Sequence, residues 1–490
     1  MSVPFTDKML NVQQPDGSTL LVRASGSHRA IVLETPEGRP VVQDAYTGEF
    51  RSDAGGHAAL AGVAATPAAS AARSAPSASA PALNKPRWQE RREEQRGRLL
   101  RRSRGPAAVD EVMPAPPQRG TVGDFTGLCL LIDFPDEPGA IPRGEVDAFC
   151  NQTGYAGFGN HGSVADYFRD ISQGRLNYRT IVTPYYTARQ PRGFYTNPKV
   201  AYPQRAKQLI DEALVFHRDA GFDFAELTAD TQSNVYATNV LYAGPAEPIW
   251  SKGLWPHASR LDAPLALSPG RNAADYQITH MGDRLALGVY CHENGHMLCD
   301  FPDLYLYANQ RIGVGRYCLM CLGANPDPRN PTQVGAYLRH RAGWGDATPI
   351  AAGEQRLPPA SSNQFLIHRK DETEYFIIEN RRNRGRDATL AGSGLAIWHI
   401  DELGSNSSPS TSPDGHQHAE CVLVQADGLD ELGRGIDDGD SGDLFGPASG
   451  PVFVDATPRS ARWWDGNASG LQIHSIQALG EDLSFIVELA

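Results

Sequence analysis

Residues His292–Glu293–Asn294–Gly295–His296 form an H-E-x-x-H pattern. On a helix, positions i and i+4 share one face, about one turn apart. His292 and His296 can therefore turn two imidazole nitrogens toward one zinc ion, with Glu293 beside them to take a proton from water. A catalytic zinc usually has three protein ligands and a position left for water. One broad class of such enzymes draws the third ligand, a Glu, from a second helix downstream. The next helix candidate here, 332–342, contains no acid. The other class turns the chain sharply after the motif. Here the sequence continues through Asp300, Phe301 and Pro302 to Asp303. Pro302 cannot continue a helical hydrogen-bond ladder, so the helix is expected to end there. Asp303 follows, free to fold back as the third ligand. Asp300 is its rival, at i+4 from His296, but a ligand so far along the same helix closes a tetrahedral site poorly. Met320 follows in a Gly-rich stretch, placed for a turn of apolar support beneath the imidazoles.

The chain has 490 residues, enough for two or three domains. Its net charge of −12 makes nucleic acid an unsuitable partner. No apolar run reaches the length of a transmembrane segment. The first residues, Met1 to Lys8, lack the charged start and apolar stretch of a signal peptide. Seven cysteines are present, four of them near the motif: Cys291, Cys299, Cys318 and Cys321. Buried thiols, a local disulfide and a second metal site on the C-x-x-C pair 318/321 are the readings, in that order.

Residues 1–57 read as a small β-rich unit, with Pro-Asp-Gly and Pro-Glu-Gly turns between short apolar runs. Residues 58–122 read as an Ala/Ser/Pro-rich and basic linker. Within it, 85–104 carries nine Lys or Arg against three Glu, expected to form a solvated charged helix. A second reading of 85–104 is a proteolytic site at Arg101 to Arg104 that frees the N-terminal segment. Residues 123–348 read as the catalytic domain. Leu128 to Phe134 is a continuous apolar run suited to a central strand. Ser163 and Asp166 resemble a capping box at the head of an amphipathic helix. Residues 203–219 form a second helix, 234–242 a strand, and 284–299 the helix bearing the motif. Residues 349–490 hold strand-length runs separated by turns, as in a β-sandwich or a large antiparallel sheet.

Several separated stretches resemble the immune inhibitor A-like metallopeptidases, a bacterial family of zinc endopeptidases. They include Leu131 to Asp136, Gly162 to Phe168, Ser172 to Leu176, the motif with Phe301 to Tyr305, Leu319–Met320, Glu374 to Arg381 and Gly394 to Glu402. Gln14 to Gly17 is similar to the start of the family's propeptide region. The resemblance implies an α+β chain: a zincin-like domain with a twisted sheet and an active-site helix, then a β-rich, sandwich-like domain. It implies a secreted zinc endopeptidase acting on proteins or peptides. Two departures stand out. Cys299 occupies a position where the family commonly has Gly, and one extra residue precedes Pro302–Asp303. Oxyanion donors are sought among Tyr305, Tyr307, Tyr317 and His399. The strand 234–242 is expected to offer an edge to an extended substrate. Six Asp between 427 and 443 suit a solvated acidic loop or structural calcium. Residues 1–57 can also cover the cleft of a latent enzyme; no Cys precedes Cys129, so no N-terminal thiol blocks the metal. A non-catalytic binding protein on a zincin scaffold is the competing reading.

Overall fold

A continuous apolar run has to be buried on both sides, and Leu128 to Ile132 is fully buried in the interior of a sheet. The computed structural model describes residues 5–14, 18–26, 31–37, 39–43, 50–52, 86–103, 120–197, 199–200, 203–245, 254, 256–306, 312–447, 452–455 and 461–490. In chain order, strands β1 (Phe5–Gln13), β2 (Thr19–Gly26), β3 (Ile31–Glu34), β4 (Pro40–Gln43) and β5 (Phe50–Ser52) precede helix α1 (Arg87–Ser103). Then come β6 (Gly123–Asp133), α2 (Arg143–Asn151), α3 (Val164–Ser172), β7 (Leu176–Thr187), α4 (Arg192–Tyr195) and α5 (Gln204–Asp219). Strands β8 (Thr238–Tyr242), β9 (His257–Ser268) and β10 (Arg271–His280) lead to α6 (Leu287–Cys299) and α7 (Ala336–Arg341). The remainder holds β11 (Asp346–Pro349), β12 (Gly353–Leu357), β13 (Gln364–Arg369), β14 (Glu374–Arg381), β15 (Gly394–Asp401), β16 (Cys421–Val424), α8 (Glu431–Arg434), β17 (Leu471–Leu479) and β18 (Asp482–Leu489).

The chain is α+β, and it divides into two units, each drawn from three segments. The first comprises Met1–Arg87, Thr126–Val146 and Ile181–Leu285; the second comprises Trp88–Phe125, Asp147–Thr180 and Ala286–Ala490. The linear boundaries expected from composition, 1–57, 58–122, 123–348 and 349–490, are therefore not the boundaries of these units. Packing joins segments distant in sequence, which compositional shifts cannot register. Part of the expected linker is the ordered helix α1; residues 58–85 and 104–119 lie outside the described residues.

In the first unit, β1 to β5 form an antiparallel meander around Val12, Val22, Leu33, Val41 and Phe50. A second sheet runs in the order β7-β6-β8-β10-β9. Strands β6, β8 and β10 are parallel, and β9 returns antiparallel to β10. The apolar side of α5, from Ala206 to Leu214, joins Leu128, Val240 and Ile278 in one core. Phe216, expected on that side, is instead exposed and packs its ring near Tyr186.

In the second unit, α3 opens with the expected capping box: Ser163 accepts from the Asp166 N–H and Asp166 accepts from the Ser163 N–H. The C-terminal strands make two sheets, β11-β13-β14-β15-β16 and β12-β18-β17. They share one core, with Phe376, Ile378, Leu395 and Ile397 from the first and Leu357, Ile473, Phe485 and Val487 from the second. No helix among the described residues is long and apolar enough to cross a membrane.

Candidate metal centre

Helix α6 has little intrinsic reason to form. It contains Gly288 and Gly295, and no side chain caps its start. Burial holds it, since Leu287 to Leu298 are buried save for Val289. Its glycines permit close approach. A Cβ on Gly288 would lie 2.8 Å from Ala324 Cβ, and one on Gly295 would lie 2.8 Å from Met320 Sδ. Tyr178 donates to Asn294 Oδ1 at 2.7 Å, fixing the helix midpoint.

The helix ends before Pro302. Asp300 takes a left-handed conformation (φ 55°), and its N–H reaches His296 O at 3.0 Å while Phe301 N–H reaches Gly295 O at 3.2 Å. This is a left-handed C-terminal cap, which satisfies the last carbonyls and turns the chain, so Pro302 follows the stop and does not cause it. Asp tolerates that conformation better than most residues. Asp300 then pairs with Arg91 at 2.6 Å.

The reversal brings Asp303 to both histidines. Its Oδ1 lies 3.2 Å from His292 Nε2 and 3.3 Å from His296 Nε2, with all three side chains buried. Ligands about 2.0–2.2 Å from a tetrahedral ion are separated by about 1.63 times that length, roughly 3.3–3.6 Å. The observed spacings lie at the short end of that range. The outer nitrogens complete the fit. His292 Nδ1 faces Leu319 O at 2.9 Å, and His296 Nδ1 faces Phe301 O at 2.6 Å. Carbonyl oxygens only accept, so both Nδ1 atoms carry hydrogen, and each Nε2 faces Asp303 Oδ1. Two imidazole nitrogens and a carboxylate converge in a buried space, a donor set able to hold a cation. Burial by itself would lower the pKa of His292, but the hydrogen bond and charge of Asp303, with Glu293, raise it above the ordinary value. Positive charge is favoured there, and these three residues can hold a metal ion.

Supports come from elsewhere in the same unit. Met320 is fully buried against Gly295, and its carbonyl accepts from the Leu304 N–H at 2.8 Å. Beneath that turn, fully buried Arg381 donates to Tyr317 O at 2.8 Å and pairs with Asp387 at 2.6 Å. Glu379 pairs with Arg339 and accepts from the Ala336 N–H at 3.0 Å and from Trp398 Nε1 at 2.9 Å.

Helix α1 is docked, which corrects its reading as a solvated charged helix. Trp88, 3% exposed, lies flat on the His296 ring, with centroids 4.5 Å apart and planes 15° apart. Arg91 also donates to Met297 O at 3.2 Å, Arg92 pairs with buried Glu420, and Arg96 donates to Leu403 O at 2.6 Å. The basic count announced a helix, but the single apolar residue near its start decides where it sits.

Other expected residues have other work. Tyr305 donates to Cys321 O at 2.5 Å, Tyr317 bonds Asp443 at 2.9 Å, and His399 bonds Glu374 at 3.1 Å; Tyr307 lies outside the described residues. Strand β8 is hydrogen-bonded on both sides, by β6 and β10, and so offers no edge. That expectation failed because the hairpin β9–β10, with its Pro269–Gly270 turn, went unread. All seven cysteines are free thiols; burial pushes Cys318 up to about 11. The acidic loop is not uniformly solvated: Asp443 is buried and Asp438 pairs with Arg316, while Asp427, Glu431 and Asp440 bring carboxylate oxygens within 4.8 Å of one another. A second mixed cluster joins Asp401, His416 and His418. No protein-family model matches this sequence, and neither does any curated protein.

Proposed function

We propose that this chain is a zinc-dependent endopeptidase with a zincin-like catalytic domain, of the immune inhibitor A-like kind. The observation that carries the reading is the spacing of His292 Nε2, His296 Nε2 and Asp303 Oδ1, with both Nδ1 atoms tied to carbonyls. An N2O donor set suits a borderline ion such as zinc better than calcium or magnesium. Zinc bound there supplies a water of near-neutral pKa and polarises a peptide carbonyl. The protein's part is then specific. Glu293, buried one residue after the first ligand, takes the proton of the attacking water and returns it to the leaving amine. Leu319 O and Phe301 O hold the two imidazoles in one tautomer, and Met320 fixes the floor beneath them.

Trp88 on His296 supports a second element of the reading, a covered and latent site. The basic end of α1, Arg101 to Ser103, is exposed, as a processing site must be.

The test is casein or quenched-peptide cleavage by zinc-loaded protein, as the full chain and as Trp88→Ala. Glu293→Gln, made in both forms, should lose at least about 100-fold in rate while keeping its zinc. Unchanged cleavage in that variant, or no cleavage by any zinc-loaded form, overturns the proposal.

A further inference from the structure

Asp401 ends β15 and is 1% exposed. A long connection, 402–420, links it to the antiparallel neighbour β16. Near the end of that connection stand His416 and His418. A tight turn, in which the His418 N–H bonds to His416 O at 2.9 Å, brings their two rings to one carboxylate. His416 Nδ1 lies 2.6 Å and His418 Nε2 2.8 Å from the same oxygen, Asp401 Oδ2. The other oxygen, Oδ1, accepts from the Leu403 N–H at 2.9 Å. Trp464 stacks on His418 at 4.4 Å and 14°, setting the ring's plane.

We propose that Asp401, His416 and His418 form a second metal site, for a first-row dication of the zinc, cobalt or nickel class. Two imidazoles and one carboxylate grouped about one point are the donors such ions select, and hard cations prefer oxygen alone. The site differs from the first in access: the carboxylate is buried, while the side chains of His416 and His418 are 23% and 15% exposed. The remaining positions of the ion therefore face solvent. Binding replaces the two N–H···O bonds. Each imidazole moves its proton to its other nitrogen and turns a lone pair inward, so no net proton is released. The nitrogens must also retreat from Oδ2 by about 0.5–1 Å to reach ligand–ligand spacing. The partly exposed loop carrying them can make that movement, and Asp401, fixed on the strand, need not.

The consequence is a clamp on the 402–420 connection. The same loop places Asn406, whose Nδ2 donates to Leu304 O at 3.2 Å and to Cys421 O at 2.9 Å. Leu304 directly follows Asp303. An ion that fixes the loop therefore steadies the segment carrying the third ligand of the first site.

The experiment counts zinc per full-length chain by plasma mass spectrometry after equilibration and gel filtration. Substituting His416 and His418 together by Ala should lower the count by one. The His292→Ala/His296→Ala variant should keep that ion and should still be raised in Tm by zinc; adding the His416/His418 substitutions should abolish the rise. Both variants are first checked for wild-type circular dichroism. An unchanged count in the folded His416→Ala/His418→Ala variant overturns the second site. So does a zinc-dependent rise in Tm that survives all four substitutions. The first pair of substitutions reports on the catalytic reading separately, so the two proposals fail independently.

Discussion

Gly295 carries more than its size suggests. It lies between the two candidate ligand histidines, where a Cβ would stand 2.8 Å from Met320 Sδ. Its φ lies outside the left-handed region, so only space opposes a side chain. Gly295→Ala must push Met320, and with it the turn whose Leu319 carbonyl holds His292 Nδ1. Loss of such outer contacts typically weakens metal binding about 10–100-fold. A chelator-competition measurement should show a zinc Kd raised by about tenfold or more; an unchanged Kd would show that Met320 yields without consequence. His292, Glu293, His296 and Asp303 were legible because their spacing and a helix break are written in side-chain identity. The carbonyls of Leu319 and Phe301 were not, because any residue supplies a carbonyl and only the fold says where it points. The H-x-H pair at 416 and 418 was a readable signal; its partner Asp401 lies fifteen residues before the first of them.

At the scale of elements, α1 shows what composition leaves open. Nine basic residues in twenty fit a solvated helix, and much of this one is half-exposed. Trp88 and Arg91 dock it on the segment bearing the candidate ligands, through the His296 ring, Met297 O and Asp300. Truncating a buried Trp typically costs about 3–5 kcal/mol. That is enough to shift a cover held by a few contacts. Trp88→Ala should raise the peptidase rate of the full chain at least severalfold, read with a quenched peptide at saturating zinc. An unchanged rate would remove α1 as a cover and leave it a structural strut. Strand β6 and helices α3, α5 and α6 were readable from apolar runs, periodicity and capping residues. The hairpin β9–β10 was missed, and the strand expected at an edge proved interior. Lateral order in a sheet depends on which strands pair, which no single strand's sequence states.

For the whole molecule, acid stability follows from imidazoles held neutral. Burial lowers His217 to about 4, from an ordinary value of about 6.5. A base whose pKa is lower folded than unfolded binds its proton more readily once unfolded. Its contribution is intact above about pH 6.5, declines as the pH falls toward 4, and is constant below that. His280 and His340, also lowered to about 4 mainly by burial, add to the same window. The urea midpoint of the wild type should therefore fall between pH 6.5 and 4, and His217→Leu should flatten part of that fall, by up to about 3 kcal/mol. An identical pH slope in the variant would mean the ring is hydrated in the fold. By itself, the sequence determined the α+β character, the motif helix, the candidate ligands and the β-rich C-terminal part, because local periodicity and short-range spacing encode them. Only the tertiary structure decided that the chain divides into two units of three segments each, that α1 lies on His296, that Arg381 braces the Met320 turn, and that Asp401 meets a histidine pair. Each of those joins residues far apart along the chain, where packing, and not spacing, selects the partner.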